Sequence, residues 1–192
     1  MVCDSYRKSF WQQSGPLLAN ARAGYVIGGG DWAEDRLIPD LVRAVQAGQT
    51  LQIRSPSSTR PWQHVLECLS GYLLLGQRLL EGDRTCADAW NFGPALEANR
   101  SVADILQALR EHWPALSWQT ASDDGLHEAR LLYLDRATAR SGLQWEPVWS
   151  LETALQMTAE WYRCSHERGE VGTREQLQHF INAARQVGCI WA

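Results

Sequence analysis

Twenty residues near the start of the chain constrain its fold more than any other segment. The segment Ala21–Asp40 reads ARAGYVIGGGDWAEDRLIPD, which predicts a short strand, a glycine turn at residues 24–30, and the start of a helix. Glycine accepts backbone angles that other residues do not, so such a turn lets the backbone approach another group closely. The segment therefore predicts an α/β unit with a candidate ligand loop between its strand and its helix.

Hydrophobic periodicity extends this pattern along the chain. Short apolar runs predict strands at residues 17–23, 51–54, 89–92, 116–120 and 131–134. Apolar residues at helical spacing predict helices at residues 5–13, 37–47, 65–80, 101–113, 150–162 and 173–187. Ser101 and Asp104 have the spacing of a capping box. Thr173 and Gln176 have it too, and the polar stretch 55–61 predicts a loop. Strands that alternate with helices place the chain in the α/β class.

The composition excludes several classes of protein. A net charge of -4, without a cluster of basic residues, argues against a nucleic-acid partner. No apolar run approaches the ~20 residues of a membrane span, and the first residues lack the charged-then-apolar order of a signal peptide. The five cysteines, an odd number without a CxxC pair, do not form a disulfide framework. We therefore expect a cytoplasmic chain with reduced thiols and no membrane partner.

The glycine turn has the spacing of a dinucleotide-binding fingerprint. Gly28, Gly30 and Ala33 fit the pattern G-x-G-x-x-[GA] after a predicted strand. An acidic residue about twenty positions further on would bind the ribose, but residues 50–53 read TLQI. Pro39 also lies near the start of the following helix. The pattern therefore favours a ligand loop of a different kind over a dinucleotide loop.

Two other motifs do not form the sites they suggest. Tyr6 and Lys8 are two residues apart, which does not match the Tyr-x-x-x-Lys pair that places a phenol and an ammonium on one helix face. Cys164 and His166 are also two apart, with no second ligand pair at a usable spacing for a metal ion. We expect neither this catalytic pair nor a metal site.

Two motifs leave alternatives open. Arg60, in the run RPWQHV, can direct its guanidinium at a phosphate with bidentate geometry, or it can simply stack on Trp62. The run HEAR at residues 127–130 precedes a predicted strand and is either a charged turn in solvent or part of a site.

In chain order, these segments together resemble one family, the CDP-glucose 4,6-dehydratases. The family belongs to the extended short-chain dehydrogenase/reductase group, whose members act on nucleotide sugars. The resemblance covers roughly residues 5–180. It is carried by the runs at residues 21–32, 35–40, 60–67, 69–73, 90–94, 127–129 and 161–162.

The resemblance implies an incomplete Rossmann-type sheet, formed by its last strands, together with the small mixed α/β substrate-binding domain of this group. Residues 1–24 and 62–94 would belong to the nucleotide-binding domain. Residues 25–61 would be a segment of the substrate domain, and 95–192 the substrate-binding domain with the C-terminal helices. The family's glycine-rich NAD loop, acid–base residues and Tyr-x-x-x-Lys pair precede the matching region. We therefore expect the C-terminal part of such an enzyme, inactive alone and without a catalytic residue.

The implied activity is that of a hydro-lyase in deoxysugar and lipopolysaccharide biosynthesis. The family uses tightly held NAD to oxidise carbon 4 of the glucosyl unit, eliminates water across carbons 5 and 6, and returns the hydride to carbon 6. We expect this chain alone to retain no NAD. The implied partners are CDP-glucose or another nucleotide sugar, and a second copy of the chain or a separately encoded N-terminal half. A non-catalytic nucleotide-sugar-binding remnant and a sister nucleotide-sugar epimerase or dehydratase are the alternatives.

The resemblance also implies a set of ligand-binding residues. The glycine turn and Arg36–Pro39 would approach the sugar and the nucleotide, and Arg60 would bind the pyrophosphate. The implied substrate-binding residues are Tyr25, Gly28, Gly29, Arg36, Leu37, Ile38, Pro39, Ile53, Arg54, Arg60, Trp62, His127 and Glu128. Ala21, Arg22 and Ala23 would lie on the nicotinamide side of the cofactor. Tyr25 stands where the family has asparagine, whose amide a tyrosine does not copy.

Overall fold

The computed structural model describes residues 2–11, 14–121 and 132–192, which contain seven α-helices and seven strands. The helices are α1 (Val2–Phe10), α2 (Leu37–Gln46), α3 (Val65–Leu80), α4 (Val102–His112), α5 (Ala137–Leu143), α6 (Leu151–Arg168) and α7 (Thr173–Gln186). The strands are β1 (Asn20–Ala23), β2 (Tyr25–Ile27), β3 (Leu51–Ile53), β4 (Thr59–His64), β5 (Ala89–Phe92), β6 (Asn99–Ser101) and β7 (Trp118–Thr120). The predicted α/β class is confirmed.

The described strands form three small sheets. Strands β1 and β5 pair in parallel, with Asn20 opposite Ala89. Strand β4 lies between β2, which runs parallel to it, and β6, which runs antiparallel. Strands β3 and β7 form a third, parallel pair. Parallel neighbours need a crossover connection, and helices supply it here, as in Rossmann-type folds.

Two clusters of buried side chains hold the helices against the strands. The larger one joins β4 to α2, α4 and α6, and its members include Trp62, Leu41, Ile105, Leu109 and Tyr162. The second joins α3, β5 and α5 around Leu74, Trp90, Phe92, Leu143 and Trp145. Several tryptophans thus serve as core residues, as expected for side chains of this size. The larger cluster lies beneath the strand pair that carries the candidate site.

Strand β4 begins earlier than the predicted loop allows. The polar stretch 55–61 was expected to be a loop, yet Thr59, Arg60 and Pro61 already pair with β6. The partner strand is only three polar residues long, so its own sequence does not predict it. That part of the loop prediction was wrong, because these residues pair with the antiparallel strand β6, which is distant in sequence.

One of the two predicted capping boxes forms. Ser101 and Asp104 cap α4 reciprocally, as predicted. At α7 the prediction was wrong, because Gly172 occupies the capping position and has no side chain to accept a bond from the backbone. Thr173 instead accepts a bond from the indole of Trp161, and the Gln176 amide donates to a carbonyl of α6. Both polar side chains connect α7 to α6.

The remaining differences from the predicted elements are local. The helix expected at 5–13 ends at Phe10, and the strand expected at 17–23 begins at Asn20. Tyr25–Ile27, expected to belong to the glycine turn, form strand β2 because they pair with β4. Residues 132–134 are not in a strand, and residue 131 lies outside the described residues. Helix α5 was not predicted, because only Ala139 and Leu143 of its seven residues are buried. None of the described helices is long and apolar enough to cross a membrane.

Candidate functional site

The candidate site is organised by one cross-strand pair of aromatic residues. Tyr25 on β2 lies directly opposite Trp62 on β4, and their ring centroids are 4.6 Å apart at an interplanar angle of 59°. Trp62 is 1% exposed, and its indole N–H donates to the carbonyl of Arg100 over 2.8 Å. Residues directly opposite on neighbouring strands place their side chains on the same face. The pair therefore joins the large core cluster to the surface of the sheet.

Arg60 places a buried positive charge next to this pair. It lies two residues before Trp62 on β4, so both side chains point to the same face of the strand. Only 8% of Arg60 is exposed, and its guanidinium donates to the carbonyl of Thr59 over 2.8 Å. A guanidinium keeps its charge even when buried and offers a planar set of donors suited to phosphate. Arg60 is thus placed to recognise an anion.

Six of the residues implied by the family resemblance line one pocket of about 180 Å³. They come from α2, β2, β3 and β4 and from the residue after β3, and they are Tyr25, Leu37, Ile53, Arg54, Arg60 and Trp62. The remaining walls are Asp35, Asp40, Leu51, Gln52, Ser55 and Val102. We refer to this space as the arginine pocket. Asp40 forms an ion pair with Arg43 of its own helix, which offsets its negative charge.

A second, much smaller space receives another part of the implied set. It measures about 10 Å³ and is lined by Gly28, Arg36, Ile38 and Pro39, together with Tyr25, Val26, Ile27, Asp31 and Leu37. We refer to it as the turn crevice. Tyr25 and Leu37 line both spaces. The implied substrate residues are therefore divided between two adjoining compartments.

The glycine turn owes its composition to packing against two helices. A side chain at Gly29 would place its Cβ 2.0 Å from Cγ of Trp161, and one at Gly28 would come within 2.8 Å of Cγ1 of Val65. Gly30 has a φ of +85°, a left-handed conformation that favours glycine. Gly29 lines neither the arginine pocket nor the turn crevice. The close approach predicted for this turn is thus made to α3 and α6.

The loop after the turn is tied to α6 and α2. The hydroxyl of Tyr162 donates to the carbonyl of Asp31 over 2.6 Å. The guanidinium of Arg43 donates to the carbonyls of Trp32 and Ala33, over 3.0 and 3.1 Å. Burial raises the pKa of the Tyr162 phenol to about 12, so this donor stays protonated. These bonds hold the segment that carries Arg36 and Leu37 against the arginine pocket.

Some implied residues lie elsewhere. Ala21, Arg22 and Ala23 belong to β1 and line neither space, and the guanidinium of Arg22 donates to the Asn91 side chain over 2.8 Å. His127 and Glu128 lie outside the described residues.

The described residues do not fit a dinucleotide cradle. In Rossmann folds the pyrophosphate lies at a helix that starts directly after the glycine loop. Here Trp161 covers Gly29, and α2 begins only at Leu37. No step assigned to the described residues passes through NAD. Within the described ranges no group of three or more His, Cys, Asp or Glu side chains could hold a metal ion.

Sequence reasoning missed a buried titratable pair beside β4. His64 caps α3, where its Nδ1 accepts from the backbone N–H of Leu66. Burial lowers the pKa of this imidazole to about 4. Its Nε2 has no hydrogen-bond partner among the described residues. The centroid of its ring lies 4.9 Å from that of Trp149, in an edge-on arrangement. Because of its lowered pKa, His64 is a neutral side chain inside the fold.

Glu67 is the second member of the pair. Its carboxylate accepts from the backbone N–H groups of Val148 and Trp149, over 2.9 and 2.7 Å. Burial raises its pKa to about 7, although these two donors act in the opposite direction. The sequence signal that could have found this pair is the presence of two polar residues, His64 and Glu67, at the start of an apolar helix. What the sequence does not reveal is their partner segment, more than eighty residues away.

A larger cavity, of about 650 Å³, lies between α4, α6 and the segment 94–100. Of the implied substrate residues only Trp62 lines it. Its walls carry the acidic residues Glu67, Glu97, Asp104, Glu111 and Glu152 against Arg100 and the histidines His64 and His112. This excess of negative charge disfavours phosphate, so we place the candidate site at the arginine pocket.

Comparison with known proteins gives one curated relative. The chain is 39% identical to CDP-glucose 4,6-dehydratase of Salmonella typhimurium, over 95% of this chain and 53% of the relative. The chain thus spans about half the length of the relative it matches. No family model matches the chain. The resemblance stated from the sequence motifs is confirmed by this identity.

Solved structures establish the same fold. UDP-glucuronic acid 4-epimerase from Bacillus cereus, in complex with UDP-glucuronic acid and NAD, superposes with a TM-score of 0.68 at 19% identity, over 84% of this chain and 49% of that one. The dTDP-glucose 4,6-dehydratase from Bacillus anthracis, in complex with NAD, gives 0.63 at 17% identity, over 85% and 48%. The predicted incomplete Rossmann-type fold is confirmed by these likenesses.

Proposed function

Because this chain is a relative of the CDP-glucose 4,6-dehydratases, we propose that it binds a cytidine nucleotide sugar, as the substrate-binding part of an enzyme of this kind. The observation that carries the proposal is the buried Arg60 beside the Tyr25–Trp62 pair in the arginine pocket. A buried guanidinium next to aromatic rings suits a nucleoside diphosphate, since it pairs with phosphate oxygens in bidentate fashion.

In this proposal, different residues of the site bind different parts of the nucleotide sugar. Arg60 binds the pyrophosphate, and Ile53 with Arg54 lines the space for the base. Gly28 and Arg36–Pro39 approach the sugar, and His127 and Glu128 approach the nucleoside. In this proposal, residues 25–61 and 95–192 make up the substrate domain. Residues 1–24 and 62–94 belong to the nucleotide-binding domain, with Ala21–Ala23 on its nicotinamide side.

The proposed reaction of the whole enzyme is removal of water from CDP-glucose to give CDP-4-keto-6-deoxy-glucose. NAD, which the family uses, would accept and return the hydride. The described residues contribute binding and orientation, and we assign none of them to proton or hydride transfer. We therefore propose that the chain alone does not turn over CDP-glucose.

A thermal-shift titration tests the binding proposal. CDP should raise the melting temperature of the chain more than UDP or GDP does at equal concentration, because ligand binding to the folded state adds to its stability. The Arg60→Gln variant serves as the control and should lose most of this shift. Equal shifts for the three nucleotides, or no shift at all, would contradict the proposal.

A non-catalytic nucleotide-sugar-binding module is the second candidate. Tyr25 favours it, because a phenol ring occupies the wall that the arginine pocket and the turn crevice share. Incubation of the chain with NAD, CDP-glucose and a separately produced N-terminal half, followed by mass spectrometry, separates the two candidates. Loss of one water from CDP-glucose would rule out the non-catalytic module.

A further inference from the structure

The cavity between α4, α6 and the segment 94–100 has the size of a small-molecule site. Its volume of about 650 Å³ lies within the roughly 300–1,000 Å³ that such sites enclose. Of the described residues, Trp62 alone lines both this cavity and the arginine pocket. The two spaces are therefore separate, and a nucleotide in the arginine pocket does not fill this one. We refer to it as the acidic cavity.

The rim of the acidic cavity carries negative charge on three sides. Glu97 lies in the segment 94–100, Glu111 on α4 and Glu152 on α6, and all three residues are exposed. Within the described ranges, the ion pairs involve other side chains. No salt bridge in this part of the chain neutralises the three carboxylates.

The other charged groups of the lining do not reverse this balance. Asp104 is engaged in the capping box of α4, and Glu67 accepts from two backbone N–H groups. Arg100 donates to the backbone carbonyl of Glu97 over 3.0 Å, and His112 is the remaining basic residue beside the neutral His64. A cavity lined mainly by one sign of charge attracts ligands of the opposite sign, so the acidic cavity favours a cation.

The placement of the rim carboxylates suits an organic cation better than a metal ion. They lie on three different elements, and among the described residues no group of three or more His, Cys, Asp or Glu side chains could hold a metal ion. The cavity is also far larger than a single ion. Several amino groups distributed along one organic molecule match carboxylates that are separated in this way.

The floor of the acidic cavity holds polar side chains that lack partners. Gln63, His64 and Trp149 line it and are 3%, 2% and 9% exposed. Among the described residues, the Gln63 Oε1, His64 Nε2 and Trp149 Nε1 atoms have no hydrogen-bond partner. Since Nδ1 of the neutral His64 accepts from the backbone, its Nε2 carries the hydrogen. The floor thus offers two N–H donors and one carbonyl acceptor, and hydroxyl groups pair with both kinds.

From these two surfaces we infer that the acidic cavity is a second ligand site, which binds a hydroxylated polyamine. The amino groups of the ligand pair with the rim carboxylates, and its hydroxyl groups pair with the unpartnered atoms of the floor. Its carbon skeleton lies between Ile105, Ala108 and Leu155, which also line the cavity. The inference does not rest on the proposed nucleotide site, because the two spaces are separate.

Isothermal titration calorimetry with neamine as the probe tests the inference. Spermine, which has amino groups but no hydroxyl groups, and sucrose, which has only hydroxyl groups, are the comparison ligands. The chain should bind neamine at least tenfold more tightly than either one, and saturating CDP should leave this affinity unchanged. Equal affinities for neamine and spermine would show attraction by charge alone and overturn the inference. Absence of neamine binding would overturn it as well, whatever the result with CDP.

Two variants locate the ligand. The double variant Glu111→Gln, Glu152→Gln should bind neamine roughly fivefold more weakly, in the range for two exposed ion pairs. The double variant Glu34→Gln, Glu175→Gln is the matched control, because it removes the same charge from exposed residues outside the acidic cavity. It should keep the affinity of the unaltered chain. Equal losses in the two double variants would place the ligand elsewhere on the surface and overturn the inference.

Trp149→Phe tests the floor. This variant keeps an aromatic ring and removes an N–H group that has no partner in the described part of the chain. It should weaken neamine binding without lowering the melting temperature of the free chain, because an unpartnered donor does not stabilise the fold. A purely structural role of the indole would lower the melting temperature instead. An unchanged neamine affinity in Trp149→Phe would overturn the assignment of the floor to hydroxyl groups.

Discussion

Tyr25 and Trp62 face each other across β2 and β4, with their ring centroids 4.6 Å apart. Trp62 belongs to the core cluster, and Tyr25 packs on it in the wall of the arginine pocket. The packing of the core therefore holds this wall of the pocket in place. Arg60 lies on β4 as well, so the packing of this strand also fixes the position of Arg60. The stability of β4 and the shape of the pocket are therefore linked.

A double-mutant cycle should detect this link. We expect Tyr25→Leu and Trp62→Leu to be non-additive, with a coupling free energy of about 0.5–1.5 kcal/mol, because each variant removes the same aromatic contact. Urea unfolding of the two single variants and the double variant measures the coupling. Additive changes in the free energy of unfolding would show that the two rings are independent.

The glycine turn should tolerate no side chain at its second position. Gly29→Ala directs a methyl group into Trp161, whose ring is buried and bonded to Thr173. We expect a loss of about 1–3 kcal/mol in the free energy of unfolding, as overpacked cores show. Gly76→Ala is the control, since no atom lies within 4 Å of the added group in the middle of α3. This variant should gain about 0.5–1 kcal/mol.

Glu67 should make the chain less stable as the pH rises. The pKa of its carboxyl is about 7 in the folded chain and 4.5 when unperturbed. Between these values the folded chain holds a proton that the unfolded chain has released, so stability falls with rising pH. The full effect is roughly 3 kcal/mol, at about 1.36 kcal/mol for each pKa unit. The His64→Asn variant, which keeps an acceptor at the cap, should show this decline by urea unfolding between pH 4 and 8.

His64 should act in the opposite direction. The pKa of its imidazole is about 4 in the folded chain and 6.5 when unperturbed. Between these values the unfolded chain holds the additional proton, so stability grows with rising pH. In Glu67→Gln only this rise should remain. In the unaltered chain the two effects offset each other from about pH 4.5 to 6.5. A steep slope there, with no change in either variant, would contradict both assignments.

The two arginines of the pocket should contribute unequally to nucleotide binding. Arg60 is buried, whereas Arg54 is exposed and screened by water. We expect Arg60→Gln to weaken CDP binding by about 2–5 kcal/mol, in the range for a buried charge that loses its partner. Arg54→Gln should cost about 1 kcal/mol or less, as exposed ion pairs do. Calorimetric titration of both variants with CDP measures the difference. Equal losses would place the phosphates away from β4.

Local sequence patterns predicted those elements whose signals are contained within them. Helix α3 has an uninterrupted apolar stripe, and α4 carries its own capping box. Strand β6, with three polar residues, depends on β4 for its pairing, and no local pattern could reveal it. Helix α7 was predicted, but the role of Thr173 was not, because its hydroxyl bonds to α6 rather than capping its own helix.

The same limit applies to the candidate site: features contained in one segment could be predicted, whereas contacts between distant segments could not. The closeness of Arg60 and Trp62 could be read from the run RPWQHV, but their place on one face of β4 could not, because residues 55–61 were expected to form a loop. The contact of Gly29 with Trp161 could not, since the two residues are far apart in the chain. The division of the site at Tyr25 also depends on the three-dimensional placement of α2 against β2.

A crystal structure of the chain grown with CDP tests the central proposal most directly. The account predicts the pyrophosphate oxygens within roughly 2.7–2.9 Å of the Arg60 guanidinium, the distance of a charge-assisted hydrogen bond. It also predicts the base beside Ile53 and Arg54. A nucleotide bound instead in the cavity between α4 and α6, or away from β4 altogether, would contradict it.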